Sequence, residues 1–368
     1  MGLASKENFE ENIPKQIKWA EWFATQWRSR ALKPQYVQWI CTYECNFKCP
    51  HCGTAAGEAR EDELKTDEIL KAIDSLAELG CKIFSVTGGE PLLRKDIFEV
   101  LGYAKDKGMT IGIVTNGYAT EDYIPQLKKV GLDSVLVSID GYGANHEKIR
   151  GTKGSYEKCL KSLDLYYELK VPVRAVSTVM LDENVDDIPK IIEDVWRHKI
   201  TNQRIQPLIP EGRAKGTKNN PETVKKVLRI IHDAREKGIN VEMSEGFAYL
   251  GAIDERVRSF DFFCGCGWNT FTIMHNGNIM GCPAIDYPNL GEGNIREKDL
   301  KRIWWNGFDK FRKTIFEDLP EKCKDCQYVR ICRGGCWLFR ANKADPCFLK
   351  EAEEVAEELG YLNKGGVE

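Results

Sequence analysis

Three cysteines near the amino end of the chain have the spacing of metal ligands. Cys45, Cys49 and Cys52 lie in the stretch CTYECNFKCPHC and form the pattern C-x3-C-x2-C. A zinc knuckle would need a fourth ligand at a second short spacing. Cys41 is a poor candidate because it lies in a predicted strand, about 13 Å of extended chain from Cys45. His51 sits between two of the cysteines and cannot easily reach the same ion.

An iron–sulfur cluster fits this motif better than structural zinc, which is the alternative. A cluster of four irons can be held by three thiolates, and its fourth iron is then open to a ligand from outside the chain. The spacing therefore predicts a cluster whose fourth position is kept for a substrate or cofactor.

The remaining cysteines are also clustered. The chain has 14 cysteines, of which Cys81 and Cys159 stand alone. No apolar signal segment is visible near the amino terminus, so we expect a cytoplasmic protein that keeps its thiols reduced for metal binding or catalysis. A pair of zinc ribbons is one interpretation of the later group. That group comprises Cys264, Cys266, Cys282, Cys323, Cys326, Cys332, Cys336 and Cys347.

The elements that must position these residues alternate along the chain. Short apolar runs are followed by amphipathic helical stretches, which predicts an α/β fold with parallel strands in a partial (β/α)6 barrel of the TIM type. The motifs TGGE, TNG and SIDG, at 87–90, 115–117 and 138–141, fall at strand ends, where such folds place their chemistry. The predicted strands are 36–41, 82–90, 110–117, 134–141, 172–180 and 202–210.

Changes in composition divide the chain into five predicted regions. The first is an amphipathic segment that contains Trp19, Trp22, Phe23 and Trp27, which we expect to pack on the barrel or to dock a substrate. The third region links the barrel to the cysteine-rich one, and the last is a charged helix. The regions are 1–35, 36–210 (the barrel), 211–263, 264–350 (the cysteine-rich domain) and 351–368.

Charge and hydropathy exclude some classes of function. The 368 residues include 53 basic and 56 acidic ones, for a net charge of -3, which gives no attraction to nucleic acid or to a membrane surface. No apolar stretch approaches the roughly 18 residues of a spanning helix. We therefore expect neither nucleic acid nor a membrane among the partners.

The stretch CNFKCPHC, followed by TGGEPLLR after the second strand, resembles the signature of radical S-adenosylmethionine (SAM) enzymes. This resemblance implies a [4Fe–4S] cluster whose open iron is chelated by SAM, reductive cleavage of SAM to a 5′-deoxyadenosyl radical, and a low-potential electron donor such as ferredoxin or flavodoxin.

The same resemblance implies a set of SAM contacts. Gly88 and Gly89 would let the backbone approach the ligand, and Glu90 would accept a hydrogen bond from the SAM amino group. Ser138 and Arg150 would hold the carboxylate. Two further residues at strand ends, Asn116 and Asp140, could face SAM or substrate, or could equally be turn residues.

The later cysteines resemble the SPASM extension of radical SAM enzymes. The resemblance implies two auxiliary [4Fe–4S] clusters, which would leave Cys41, Cys81 and Cys159 as ordinary buried residues. Only one residue separates Cys264 from Cys266, which is a tight spacing for two ligands of one cluster. If one of them were not a ligand, the first cluster would have an open iron. The implied ligands are Cys264, Cys266, Cys282 and Cys336 for one cluster, and Cys323, Cys326, Cys332 and Cys347 for the other.

Auxiliary clusters suit net oxidations, so the resemblance implies a maturase that crosslinks or similarly modifies a ribosomally made peptide or protein. The alternatives are an enzyme of cofactor synthesis of the haem-pathway type, for which Arg174, Arg204 and Arg213 could bind propionates, and a sulfatase-type formylglycine maturase. Sulfatase-maturing relatives carry an aspartate proton acceptor where this chain has Pro283, and Asp286 could replace it. A non-catalytic iron–sulfur electron carrier is a further alternative, which SAM turnover would exclude.

Overall fold

A single mixed sheet of ten strands runs through the computed structural model, which describes residues 15–282, 290–313, 317 and 319–362. The six predicted strands are confirmed as β1 to β6, and they lie side by side in chain order, all parallel. This is the predicted partial barrel. Its strands are β1 (Tyr36–Thr42), β2 (Ile83–Gly88), β3 (Thr110–Thr115), β4 (Ser134–Ser138), β5 (Val173–Val179) and β6 (Asn202–Gln206).

Helices cover the parallel strands, so strand residues are buried. Trp39, Phe84, Ile111, Val137 and Val176, one from each of the first five strands, are completely buried. The helices, in chain order, are α1 (Lys15–Arg28), α2 (Thr66–Glu78), α3 (Ile97–Asp106), α4 (Ile124–Val130), α5 (Ala144–Arg150), α6 (Ser155–Glu168), α7 (Ile188–Arg197), α8 (Pro221–Glu236), α9 (Asp254–Val257), α10 (Leu300–Asn306), α11 (Asp309–Arg312), α12 (Glu321–Lys324), α13 (Val329–Cys332), α14 (Trp337–Ala341) and α15 (Leu349–Glu358).

The sheet continues beyond the barrel at both edges. On one side β7 (Val241–Met243), from the predicted linking region, pairs in parallel with β6. On the other side β8 (Thr270–Ile273), from the cysteine-rich region, pairs in parallel with β1. Two antiparallel strands, β9 (Asn278–Met280) and β10 (Gly291–Asn294), complete that edge. The cysteine-rich region is thus built onto the same sheet as the barrel, while the five predicted regions remain predictions.

The two terminal helices pack on different parts of the molecule. In α1, Phe23 is buried against Phe263, with ring centres 5.0 Å apart, whereas Trp19 and Trp22 are 43% and 55% exposed. The last helix, α15, lies against α8, where Lys225 pairs with Glu354 at 2.9 Å. None of the helices in the described residues combines the length and hydropathy that a bilayer span requires.

One arginine ties the loop after β10 to the first barrel helix. The Nε and Nη2 atoms of Arg296 donate to the two carboxylate oxygens of Glu68 in α2 at 2.6 and 3.0 Å. Its Nη1 donates to the carbonyl oxygen of Asp62 at 3.0 Å. Hydrogen bonds from Arg296 lower the pKa of Glu68 from 4.5 to about 2. A carboxylate with a depressed pKa stabilises the fold above its unfolded value, and that contribution is lost as the pH falls through the folded value.

We therefore predict that Glu68→Gln lowers the free energy of unfolding at pH 7 by about 1 kcal/mol. The deficit should shrink between pH 4.5 and about 2, because the wild-type carboxylate becomes protonated there. Glu78→Gln is the matched control, since Glu78 is in the same helix and pairs with Lys301, but both side chains are well exposed. Thermal unfolding across this pH range measures both, and an equal loss in both variants at pH 7 would contradict the prediction.

Candidate active site

A cavity of about 220 Å³ opens at the carboxyl ends of the barrel strands. All three cysteines of the C-x3-C-x2-C motif line it. So do five of the six predicted SAM-binding residues, namely Gly88, Gly89, Asn116, Ser138 and Arg150. The sequence motifs at the ends of β1 to β4 therefore meet at one place, which we call the central cavity.

The loop that carries the three cysteines, residues 43–57, is held from the far side of the barrel by Arg213. The Nε and Nη1 atoms of Arg213 donate to the carbonyl oxygens of Cys49 and Ala56 at 2.7 and 2.8 Å. Its backbone N–H donates to the carbonyl of Cys52 at 3.0 Å. The preceding Gly212 has φ of +55°, and a Cβ there would stand 2.1 Å from the carbonyl oxygen of Gly53. Residues 212–213 thus act as a clamp on this loop, a role that the sequence did not indicate.

The three thiols fit an iron–sulfur cluster chemically. None of them is in a disulfide. Burial raises the pKa of Cys45 to about 11 and also raises that of Cys49. Without metal the thiols of Cys45 and Cys49 therefore keep their protons at neutral pH, and a cluster must displace those protons when it binds.

The backbone at the end of β1 and the start of the cysteine loop leaves no room for a side chain on Gly88 or Gly89. The N–H of Gly89 donates to the carbonyl of Thr42 at 2.7 Å. A Cβ on Gly88 would lie 2.3 Å from that same oxygen, and one on Gly89 would lie 2.0 Å from the carbonyl oxygen of Glu44. Both contacts are with backbone, so a side chain at either position would push the loop away from the sheet.

Glu90 lies behind the cavity wall. It is completely buried and is absent from the cavity lining. Its carboxylate accepts hydrogen bonds from Leu92 N at 3.2 Å, Thr115 Oγ1 at 2.8 Å and Asn116 N at 2.8 Å. Burial raises its pKa despite these donors. In this structure Glu90 joins the ends of β2 and β3, and its contact with a SAM amino group remains a prediction.

A buried network of polar side chains around Asp140 lies at the opposite wall. Asp140 Oδ2 accepts from Arg150 Nη1 at 2.7 Å and lies 2.9 Å from His51 Nε2, and its Oδ1 accepts from Val179 N at 2.8 Å. Burial alone would raise the pKa of Asp140, but Arg150 and His51 outweigh it and hold the pKa well below its ordinary value. Asp140 is therefore a carboxylate that orients Arg150 and His51 from behind.

Two nitrogens of the polar network around Asp140 are available to a ligand. Arg150 Nε and His51 Nδ1 are buried and lack a hydrogen-bond partner in the part of the chain that the structure describes. Both residues line the central cavity. Unpaired buried polar atoms are costly, so the wall is suited to a polar ligand. The sequence did not single out His51 for this position.

Asn116 lies beside the cysteine loop. Its Nδ2 donates to Asn46 Oδ1 at 2.7 Å, and its Oδ1 accepts from Tyr118 N at 3.0 Å. The side chain therefore acts as a turn residue while its edge faces the central cavity. Ser138 ends β4 at the same cavity.

Four cysteines of the later group converge. The thiols of Cys264, Cys266 and Cys282 hydrogen-bond in succession, and that of Cys336 interacts electrostatically with all three. The hydrogen bond with Cys266 and burial raise the pKa of Cys264 well above its usual value. We call these four residues the first auxiliary group.

The other four also lie together. Cys323 interacts electrostatically with Cys326 and Cys347, and Cys332 with Cys323 and Cys347. We call these four residues the second auxiliary group. Among the described residues, no three His, Cys, Asp or Glu side chains are arranged to hold a single metal ion. A cubane makes a different demand, because each thiolate binds a separate iron.

The three cysteines without a predicted ligand role lie in the hydrophobic core, and the candidate proton acceptor lies outside the described residues. Cys41, Cys81 and Cys159 are buried in the hydrophobic core, as expected for cysteines without a ligand role. Asp286, the candidate proton acceptor, lies outside the described residues, as does Pro283.

Comparisons with known proteins identify two families in this chain. The radical SAM superfamily matches residues 39–195, and an iron–sulfur cluster-binding domain, SPASM, matches residues 264–327. Among curated proteins, Fe-coproporphyrin III synthase of Methanosarcina barkeri is 30% identical, over 89% of this chain and 90% of its own. PqqA peptide cyclase of Rhizobium meliloti is 28% identical, over 83% of each chain.

The fold is also found in solved structures. The crystal structure of Streptococcus suis SuiB bound to S-adenosylmethionine superimposes with a TM-score of 0.69 and 17% identity, over 95% of this chain and 83% of that one. At this identity the likeness shows the fold.

We predict that Gly89→Ala prevents stable cluster binding by the cysteine loop, since the added Cβ would collide with the carbonyl of Glu44. The variant should lose iron and sulfide relative to wild type after anaerobic reconstitution, while its helical content stays unchanged. Gly102→Ala is the control, because nothing lies within 4 Å of a Cβ there. Within α3 that change should be neutral or should stabilise by about 1 kcal/mol. Full iron content in Gly89→Ala would contradict the prediction.

Proposed function

The chain belongs to the radical SAM superfamily and carries a SPASM iron–sulfur cluster-binding domain, and from this premise we propose that it oxidatively modifies a ribosomally made peptide or protein. It is an enzyme of SAM-dependent radical chemistry, with iron–sulfur clusters and SAM as cofactors. When bound, the cluster and SAM supply a 5′-deoxyadenosyl radical that abstracts a hydrogen atom from the substrate. The substrate class is the new element of the proposal.

Residues of the chain then have distinct proposed roles. Cys45, Cys49 and Cys52 hold the SAM-binding cluster. Arg150, oriented by Asp140, and Ser138 bind the SAM carboxylate, which would give the unpaired Arg150 Nε a partner. The two auxiliary groups hold one [4Fe–4S] cluster each and accept the second electron of the oxidation. A low-potential electron donor such as ferredoxin or flavodoxin supplies the priming electron.

The charge of the central cavity supports a peptide substrate. A tetrapyrrole with several propionates would need several uncommitted cations. Arg174 instead donates to the carbonyl of Lys199 at 2.7 Å, near the amino end of β5, and Arg204 pairs with Glu242 at 3.4 Å. Arg213 does line the cavity, but two of its nitrogens bind backbone carbonyls of the cysteine loop. A peptide backbone makes no such demand for charge.

One observation favours a second candidate, the synthesis of a tetrapyrrole cofactor. The Methanosarcina barkeri relative, whose name places it in porphyrin synthesis, matches 90% of its own length at 30% identity. The peptide cyclase matches at 28%. Identity at this level is compatible with either substrate class.

The cysteine assignments predict two different phenotypes. Cys49→Ala should abolish formation of 5′-deoxyadenosine, because the SAM-binding cluster loses a ligand. Cys326→Ala should reduce product several-fold more than it reduces SAM cleavage. Cys81→Ala is the control, because this residue is a core cysteine outside the ligand groups and should leave both yields within about two-fold. Chromatography of anaerobic reactions measures both compounds, and SAM cleavage by Cys49→Ala would contradict the radical SAM assignment.

The substrate class is tested by mass spectrometry. We expect a short peptide encoded beside this gene, co-expressed anaerobically with the enzyme, to become lighter by the mass of two hydrogens. Fragmentation would locate the new bond. The same preparation should leave an iron-coproporphyrin unchanged. An unchanged peptide together with a decarboxylated porphyrin, under active SAM cleavage, would replace the proposal by the second candidate.

A further inference from the structure

Arg333 is a cation buried between the two auxiliary groups. It directly follows Cys332 of the second group and is 5% exposed. Its Nη2 donates to the carbonyl oxygen of Cys264, in the first group, at 2.9 Å. Its guanidinium carbon lies 4.2 Å from the centre of the Phe263 ring. One side chain thus reaches from one cysteine group to the other.

The backbone of Arg333 has an unfavourable conformation for this residue type. Its φ is +55°, in the left-handed region, directly before Gly334 and Gly335, which also have positive φ. A residue with a Cβ costs about 1 kcal/mol or more in this region, where glycine is favoured. An arginine at the position is consistent with a role for its side chain.

In the part of the chain that the structure describes, the charged neighbours of Arg333 are thiols and not carboxylates. Among those residues, no carboxylate oxygen lies within 4.0 Å of its guanidinium. Its electrostatic partners are the thiols of Cys264, Cys266 and Cys332, and burial lowers its pKa. Because a buried unpaired guanidinium is costly, and because cysteine becomes anionic when it binds metal, the surroundings of Arg333 become favourable once the cysteines are metal-bound thiolates.

A second buried arginine shows the contrast. Arg258 also interacts electrostatically with Cys332 but has a carboxylate partner, Asp254, and donates to the carbonyls of Ser244 and Ala248 at 3.0 and 2.6 Å. Its charge is therefore largely neutralised. Arg333, by contrast, lies beside the first auxiliary group and has no carboxylate partner among the described residues.

We propose that Arg333 sets the reduction potential of the cluster bound by the first auxiliary group. Reduction adds negative charge to a cluster, and a cation held in a low-dielectric site stabilises the reduced form more than a solvated cation does. Arg333 therefore raises the potential and makes this cluster the better electron acceptor of the two. The inference rests on the ligand assignment made in the proposed function, and it assigns Arg333 a positioning role, not a contact with substrate.

The test is an EPR-monitored redox titration of the reconstituted enzyme. A background with Cys45, Cys49 and Cys52 all changed to Ala leaves the auxiliary signals alone in the spectrum. In that background Arg333→Gln should move one midpoint potential to a more negative value. Arg330→Gln is the matched control, because it removes the same charge from an exposed position in α13 and should leave both potentials unchanged. Arg333→Lys keeps the charge, so its midpoint potential should lie close to the wild-type value.

Arg333→Gly separates charge from strain, since glycine relieves the left-handed backbone and also removes the cation. The same negative shift in Arg333→Gly and Arg333→Gln supports the proposal. Potentials that are unchanged in both variants, with auxiliary clusters present at wild-type iron content, overturn it. If the parent background binds no auxiliary cluster at all, the ligand assignment itself has failed, which is a different result from an unchanged potential. If Arg333→Gln binds no cluster, Arg333→Lys decides, and a lysine variant with a potential as low as that of Arg333→Gly overturns the proposal.

Discussion

The close backbone contact between the ends of β1 and β2 is the constraint on which the central cavity depends. Gly89 N–H donates to the carbonyl of Thr42, and Glu90 N–H donates to the carbonyl of Glu44. The Glu90 carboxylate then carries the connection to β3 through Asn116 N. Three neighbouring strand ends are fixed in this way without any metal, and the cysteine loop starts from a fixed point. Arg213 holds the other end of the loop from across the barrel. The loop is therefore preorganised by backbone hydrogen bonds, which the binding of a cluster does not have to supply.

Much of this arrangement could be predicted from the sequence, because it depends on local patterns. Apolar runs and helical periodicity located β1 to β6, and short cysteine spacings located the three-cysteine loop. Contacts between residues distant in sequence could not be predicted. The sequence did not indicate that the Glu90 carboxylate accepts hydrogen bonds from Thr115 and Asn116 at the end of the next strand. Arg213 was considered as an anion site, but its partners are carbonyls more than 150 residues away. A one-dimensional pattern contains no information on such pairings.

The pKa values of the two buried carboxylates near the cavity, Asp140 and Glu90, are shifted in opposite directions. Asp140 is held ionised by Arg150 and His51, whereas the pKa of Glu90, with neutral donors as its nearest partners, is raised by burial. The two acids are both almost completely inaccessible to solvent. Their difference comes from the charge of their neighbours. One side of the cavity wall therefore carries Arg150, paired with Asp140, whereas behind the other side lies a carboxylate whose pKa is raised by burial.

The pairing of β8 with β1 affects how separable the two halves of the molecule are. Tyr36 to Trp39 of β1 are in register with Thr270 to Ile273. The cysteine-rich region thus extends the barrel sheet. Without β8, the strand that leads into the cysteine loop, β1, would itself be an open edge. Open strand edges invite association with other chains. A barrel without its cysteine-rich half would present such an edge, with apolar residues on either side of it. Loss of the cysteine-rich region in evolution would therefore require another element to cover the edge of β1, as well as a new electron acceptor.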